Sequence, residues 1–228
     1  MILSSAAQML NGSGGGLPPW LPDGAIAHMD LKTGDGYAGG AARSIDEMLG
    51  GGFDPAALSA SGLRFIESNS NRPKAIGPLL ADISAGLAAG CTVRFVLNFL
   101  NAPYGFAMFI GDNTNWDTSS DGITVAVDDE MYDAVSLGLG APLGSTGIHK
   151  LAVTLNRDVG GGDYEYAWCL DGAAATTQTV PYAASWLVNT ILFGWDGVDD
   201  TQLLDNVYWE GFTLWQAKLP AGLPPLTA

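Results

Sequence analysis

The stretch KLAVTLNRDVGGGDYEYAWCLDGA, Lys150 to Ala173, decides how the chain reads. Leu151, Val153 and Leu155 alternate with Ala152, Thr154 and Asn156. After a run of glycines, Tyr164, Tyr166, Trp168 and Leu170 alternate with Glu165, Ala167 and Cys169. Period-two alternation in β-branched and aromatic residues predicts two half-buried strands. Gly160 to Gly162 between them predict a hairpin, because glycine enters positive φ without steric cost. Asp171-Gly172 marks a second turn.

Working outward, the same grammar recurs. Val93, Phe95, Leu97 and Phe99 share one face of a strand that opens near Cys91, with Thr92, Arg94 and Asn98 opposite. Phe106, Met108 and Ile110 form the next row, then Ile123, Val125 and Val127, then Val135, Leu137 and Leu139. Thr190 to Trp195 and Val207 to Ala217 close the series, and the apolar row slips phase at Glu210-Gly211, which predicts a β-bulge. Towards the N-terminus, Gly24 to Leu31 and Leu63 to Glu67 read as strands. Ser44 and Glu47 match a capping box, with Gly50 to Gly52 ending the helical turn. Asp54-Pro55 opens another short turn. Pro78 to Ala89 has helical spacing at Leu79, Leu80 and Ile83, but the glycines nearby leave it open between helix and loop. Repeated strands with frequent turn signals predict an all-β fold: a two-sheet antiparallel jelly-roll sandwich with a few short helical turns. Its expected extent is 24–219, behind an extended N-terminal arm and Pro-rich linker (1–23) and ahead of a C-terminal tail (220–228).

Composition narrows the function. The chain has 228 residues and a formal net charge of -15, which argues against nucleic acid and anionic membranes as partners. No apolar run reaches the roughly 18 residues of a transmembrane helix. Met1 to Leu10 lacks the basic start of a secretory signal. Cys91 and Cys169 are too few for a disulfide scaffold and are expected to stay reduced as packing residues. The 31 glycines sit between apolar runs, where they serve turns.

Candidate chemistry is sparse. The glutamates are Glu47, Glu67, Glu130, Glu165 and Glu210. The nearest acidic pair, Glu130 and Asp133, is spaced to point to opposite strand faces. His28 and His149 stand without a Gly-x-Ser-x-Gly elbow and without zinc spacing. The reading is therefore not an enzyme, with no catalytic residues. The loop Asp112 to Asp121 admits two readings, turn-forming Asp and Asn or an oxygen-rich rim site. On the second, Asp112, Asp117 and Asp121 would be metal ligands and Trp116, Asn113 and Asn115 a ligand-binding group, since Trp116 is an aromatic among polar neighbours. Asp196, Asp199, Asp200 and Asp205 form another acidic cluster. In the arm, Ile2, Leu3, Met9, Leu10, Leu17 and Trp20 are the apolar residues an assembly contact would use, with Trp20 able to pin the segment to the domain.

The phrasing His149-Lys-Leu-Ala-Val-Thr-Leu, Tyr166-Ala-Trp-Cys-Leu-Asp-Gly, Ile191-Leu-Phe-Gly and Tyr208-Trp-Glu-Gly-Phe-Thr-Leu-Trp resembles the second half of laminin-G-like, concanavalin A-like jelly rolls. The resemblance spans about residues 90–220. It implies a lectin-like sandwich, and calcium as the one ion to expect at its rim; no other cofactor is implied. Concanavalin A-like glucanases carry Glu-x-Asp-x-x-Glu on one strand, and this sequence does not. The front section, from Ala27-His-Met-Asp-Leu through Phe53-Asp-Pro-Ala to Ser61-Gly-Leu-Arg-Phe, is similar to virion proteins of tailed bacteriophages. That resemblance implies a decoration, collar or fibre protein, assembled in the host cytoplasm into the virion. Its arm would dock on other virion proteins, homo-oligomers are expected, and the displayed sandwich would meet a host-surface glycan. The alternative of another class is a secreted carbohydrate-binding module, and a glycoside hydrolase stands far behind it.

Overall fold

The computed structural model describes residues 17–51, 53–65, 73–101, 106–111, 122–126, 136–137, 146–181, 190–194 and 206–228. In chain order the front carries β1 (Ala27–Asp30), β2 (Asp35–Ala38), β3 (Ala41–Arg43), β4 (Leu49–Gly50), β5 (Leu58–Ser59), β6 (Gly62–Phe65) and β7 (Lys74–Ala75), followed by helix α1 (Gly77–Ala89). Then come β8 (Cys91–Phe99), β9 (Phe106–Gly111), β10 (Gly122–Ala126), β11 (Ser136–Leu137), β12 (Gly147–Gly160) and β13 (Asp163–Leu170). The chain closes with β14 (Thr176–Val180), β15 (Thr190–Phe193), β16 (Val207–Gln216) and the short helix α2 (Pro224–Thr227).

Two sheets form from these strands. The larger runs β14-β13-β12-β8-β16-β1-β2-β3, with β6 also paired to β16 and β5 to β6. The smaller runs β11-β10-β9-β15-β7-β4. The fold is therefore an all-β sandwich, as the alternation predicts. Pairing is antiparallel except between β10 and β11, which run parallel.

The opening hairpin is β12 with β13, in register Leu151↔Leu170 and Val153↔Trp168. Gly161 and Gly162 turn it with φ of 73° and 90°, the region closed to most side chains. The expected bulge in β16 is present, as a register shift between Trp209 and Gly211 against β8. Gly62 lets β6 close on that bulge, since a Cβ there would lie 2.4 Å from the Trp209 carbonyl oxygen.

Between the sheets lies one apolar cluster. Val93, Phe95, Leu97 and Phe99 of β8 meet Val207, Trp209, Phe212 and Leu214 of β16, and Ile191 and Phe193 come from the smaller sheet. Phe193 stacks on Trp209 with ring centroids 4.6 Å apart. The open segment 78–89 is helix α1, one residue longer at its start. Leu79, Ile83 and Leu87 are buried on one side of it, so burial of that stripe outweighs the glycine cost of roughly 1 kcal/mol per position.

Two local expectations need correction. Ser44 begins only a single 3-10 turn, Ile45–Glu47, and Gly50, the first of the glycines that were to end a helix, instead enters β4, which pairs with β7. The strands of the opening hairpin are not half-buried. Ala152, Thr154, Ala167 and Cys169, on the face away from the second sheet, are fully buried too. Residues 217–228 cause this, because Leu223 packs on Ala152, Ala167 and Cys169. Both cysteines are buried and free.

Candidate functional site

The large sheet's outer face carries hydrogen-bonded polar pairs where the segment before β1 and residues 217–228 fold over it. Thr92 and Thr154 hydroxyls meet at 2.8 Å, and the Lys218 amide donates to Thr92 Oγ1 at 2.8 Å. His28 Nδ1 lies 2.9 Å from Thr213 Oγ1, and Arg94 Nη2 donates to the same hydroxyl at 3.5 Å. Trp20 sits on the His28 ring with centroids 6.0 Å apart, and Trp215 Nε1 donates to the Asp23 carbonyl at 3.1 Å. Burial, then the Arg94 charge, lowers the His28 pKa to about 4, against weaker pulls from Asp30 and Asp35. Burial also lowers the Arg94 pKa. These groups hold the segment before β1 in place. Their packing makes them structural.

A cleft of about 580 Å³ opens beside this sheet, within the 300–1,000 Å³ range of small-ligand sites. Three short segments wall it: Lys32, Thr33 and Gly34 of the β1–β2 turn; Ser44, Ile45 and Asp46 of the first 3-10 turn; and Phe53, Pro55, Ala56 and Leu58 around the second. Asp30 builds the first wall, its Oδ1 accepting from the Lys32 and Thr33 amides at 2.9 and 3.1 Å. The second wall is set by Glu47, whose Oε2 accepts from the Ser44 amide at 2.9 Å and the Ser44 hydroxyl at 3.0 Å. The Ser44 amide bond, then its hydroxyl bond, holds the Glu47 pKa below its ordinary value. Asp54 caps the third, with Oδ1 accepting from the Ala56 amide at 2.9 Å. Phe53 and Leu58 are half-buried and rest on the main core, while Ile45 is buried beneath.

On the wall nearest the sheet, Lys32 Nζ lies 3.3 Å from Glu210 Oε2. Glu210 projects from the β16 bulge, and its Oε1 accepts from Asn98 Nδ2 at 3.3 Å. The bulge thus serves the site by turning a nearly buried carboxylate to meet the cleft's lysine.

Most sequence candidates fall elsewhere. Asp112, Asn113, Asn115, Trp116, Asp117 and Asp121 lie outside the described residues, as do Glu130, Asp133 and the Asp196–Asp205 cluster. Ile2, Leu3, Met9 and Leu10 of the arm lie outside as well. Leu17 is 67% exposed, and Trp20 is spent on His28 of its own sandwich. His149 Nδ1 is 2.5 Å from Asp171 Oδ2. Among the described residues no group of three or more His, Cys, Asp or Glu is placed to hold a metal ion, and no helix is long and apolar enough to cross a membrane. Sequence reading passed over the cleft, although it marked two of its walls as capped turns, at Ser44 and Asp54-Pro55.

No family model matches the chain, and no curated protein matches it in sequence. Solved structures do share its fold. Domain 4 of AbnA, a GH43 extracellular arabinanase from Geobacillus stearothermophilus solved with arabinotriose, superposes with a TM-score of 0.56 at 11% identity, covering 90% of this chain and 98% of that domain. The CBM40 of a Ruminococcus gnavus IT-sialidase, bound to α2,3-sialyllactose, gives a TM-score of 0.45 at 13% identity over 67% of this chain and 89% of that one. A Trypanosoma rangeli sialidase gives 0.49 at 10% identity, covering 92% of this chain and 35% of its own. At 11% identity the likeness to the arabinanase domain is one of fold.

Proposed function

We propose that this sandwich is a carbohydrate-binding module that holds a saccharide in the cleft between the β1–β2 turn and the two 3-10 turns, without turning it over. The observation that carries the reading is the cleft's make-up. Phe53, Pro55 and Leu58 line it together with Thr33, Ser44, Asp46 and Lys32, a mixture of apolar and polar groups that suits a ring apolar on its faces and hydroxylated at its edge. The arabinanase domain, of like fold over nearly its whole length and solved with an arabinose oligomer, supports the same class of ligand. Glycoside hydrolysis needs two carboxyl groups flanking one bond; among the described lining residues Asp46 is the only carboxylate.

These observations favour the binding-module alternative over a particle component as the leading reading. Display on a phage particle rests on the resemblance of residues 27–65 to virion proteins, and binding a host glycan would suit both. The test is affinity electrophoresis against a panel of soluble polysaccharides, with Phe53→Ala alongside. Retardation by at least one glycan, lost or weakened at least about tenfold in the folded variant, is expected. Retardation by none contradicts the reading.

A further inference from the structure

We infer that the cleft selects neutral saccharides and rejects those bearing carboxylate, sulfate or phosphate. The inference rests on the saccharide reading above and adds its ligand class.

It follows from where the donors of Lys32, Thr33, Gly34, Ser44 and Ala56 already point. The amides of Lys32 and Thr33 are given to Asp30 Oδ1, and the Gly34 amide to the Asp30 carbonyl at 2.8 Å. The Ser44 amide goes to Glu47 and the Ala56 amide to Asp54. Both lining hydroxyls also spend their protons on carboxylates, Thr33 Oγ1 on Asp35 Oδ2 at 2.8 Å and Ser44 Oγ on Glu47 Oε2 at 3.0 Å. What they offer a ligand is oxygen lone pairs, joined by the acceptor-only carboxylate of Asp46. Such a rim needs a partner that donates. Sugar hydroxyls donate; ionised acid groups can only accept.

Charge points the same way. Asp30, Asp35, Asp46, Glu47, Asp54 and Glu210 stand on or behind the walls. Among the described residues the cations paired with them are Lys32 and Arg43, and Arg43 Nη1 lies 3.7 Å from Glu47 Oε1. Lys32 is the lysine that an acidic sugar would need. It is held by Glu210, whose side chain is only 9% exposed. Drawing Lys32 away would leave that carboxylate with the Asn98 contact alone. Lys32 keeps donors for a further oxygen, but Glu210 already offsets its charge, so an ionised sugar gains no more from it than a neutral hydroxyl does.

The experiment uses matched polymers on the full chain: galactan against polygalacturonate, and hydroxyethylcellulose against carboxymethylcellulose, at low and high salt. The neutral member of a pair is expected to bind, and its acidic partner at least about fivefold more weakly at low salt, the gap narrowing as salt screens it. Asp46→Asn, at an exposed position that leaves the fold intact, should narrow the gap too. An acidic polymer binding as well as or better than its neutral partner overturns the inference and leaves the saccharide reading standing. If neither member of any pair binds, while the wider glycan panel is also silent, both fail.

Discussion

The two faces of the large sheet hold the chain together by different means. Along β8 and β16 the inner face is apolar, with Val93, Phe95, Leu97 and Phe99 against Trp209, Phe212 and Leu214. The outer face is just as buried around Thr92, Thr154 and Thr213, but around these threonines the contacts are hydrogen bonds: Thr92 to Thr154, Lys218 to Thr92, Thr213 to His28. The inner face gains from removing carbon from water, at about 25 cal/mol per Å². The outer face gains little net, about 1 kcal/mol per bond, yet loses more when a partner is removed. One face tolerates changes that keep volume; the other is sensitive to geometry and to protons.

Substitutions can break this contrast. The largest effect is expected at Trp209, 1% exposed and stacked on Phe193. Trp209→Ala should cost about 3–5 kcal/mol by urea unfolding; a loss under about 1 kcal/mol would mean the two sheets do not pack as described.

On the outer face the sharpest probe is pH. His28 is held near 4 when folded, against 6.5 unfolded. The unfolded chain therefore takes up its proton first as pH drops. This contribution is complete above about 6.5 and is lost as pH falls towards 4, amounting to at most about 3 kcal/mol. His28→Gln should flatten that part of the stability curve. If wild type and variant lose stability in parallel between pH 6.5 and 4, the ring is not buried as a neutral group.

A smaller effect tests the cover itself. Leu223→Ala should cost about 2 kcal/mol, at the low end for a buried leucine because one short helix can relax. A bulkier insult, Leu223→Asp, should expose Cys169, whose Sγ sits against the Ala173 carbonyl and Thr227 hydroxyl. Cys91, its thiol pushed up to about 12 by burial, should stay unreactive to a disulfide reagent in both proteins. Labelling of both cysteines in the wild type would mean this layer is open. The smallest stability change is expected at Phe53→Ala, about 1 kcal/mol, since the ring is half-buried and built for contact.

The inner face was legible because period-two alternation writes it directly, down to the bulge at Glu210-Gly211. The outer cover was not, because Ala152, Thr154 and Ala167 are small or polar and read as the solvent-facing row, and Cys169 alone in that row reads as packing; what buries them is a segment nearly fifty residues or more further along. Helix α1 stayed open because glycine weakens local propensity while its buried stripe is decided by tertiary packing. The cleft follows the same rule. Ser44 and Asp54-Pro55 announce capped turns, yet nothing in the sequence says that both face Lys32 and Thr33, or that the bulge sends Glu210 to meet that lysine.

The central claim, that a saccharide sits in this cleft, is tested most directly by backbone NMR titration with the best neutral oligosaccharide from the panel. Amide shifts should concentrate at Lys32 to Gly34, Ser44 to Asp46 and Phe53 to Leu58, saturate, and vanish in Phe53→Ala. Saturable shifts that leave these three segments untouched would place the ligand elsewhere and contradict the account.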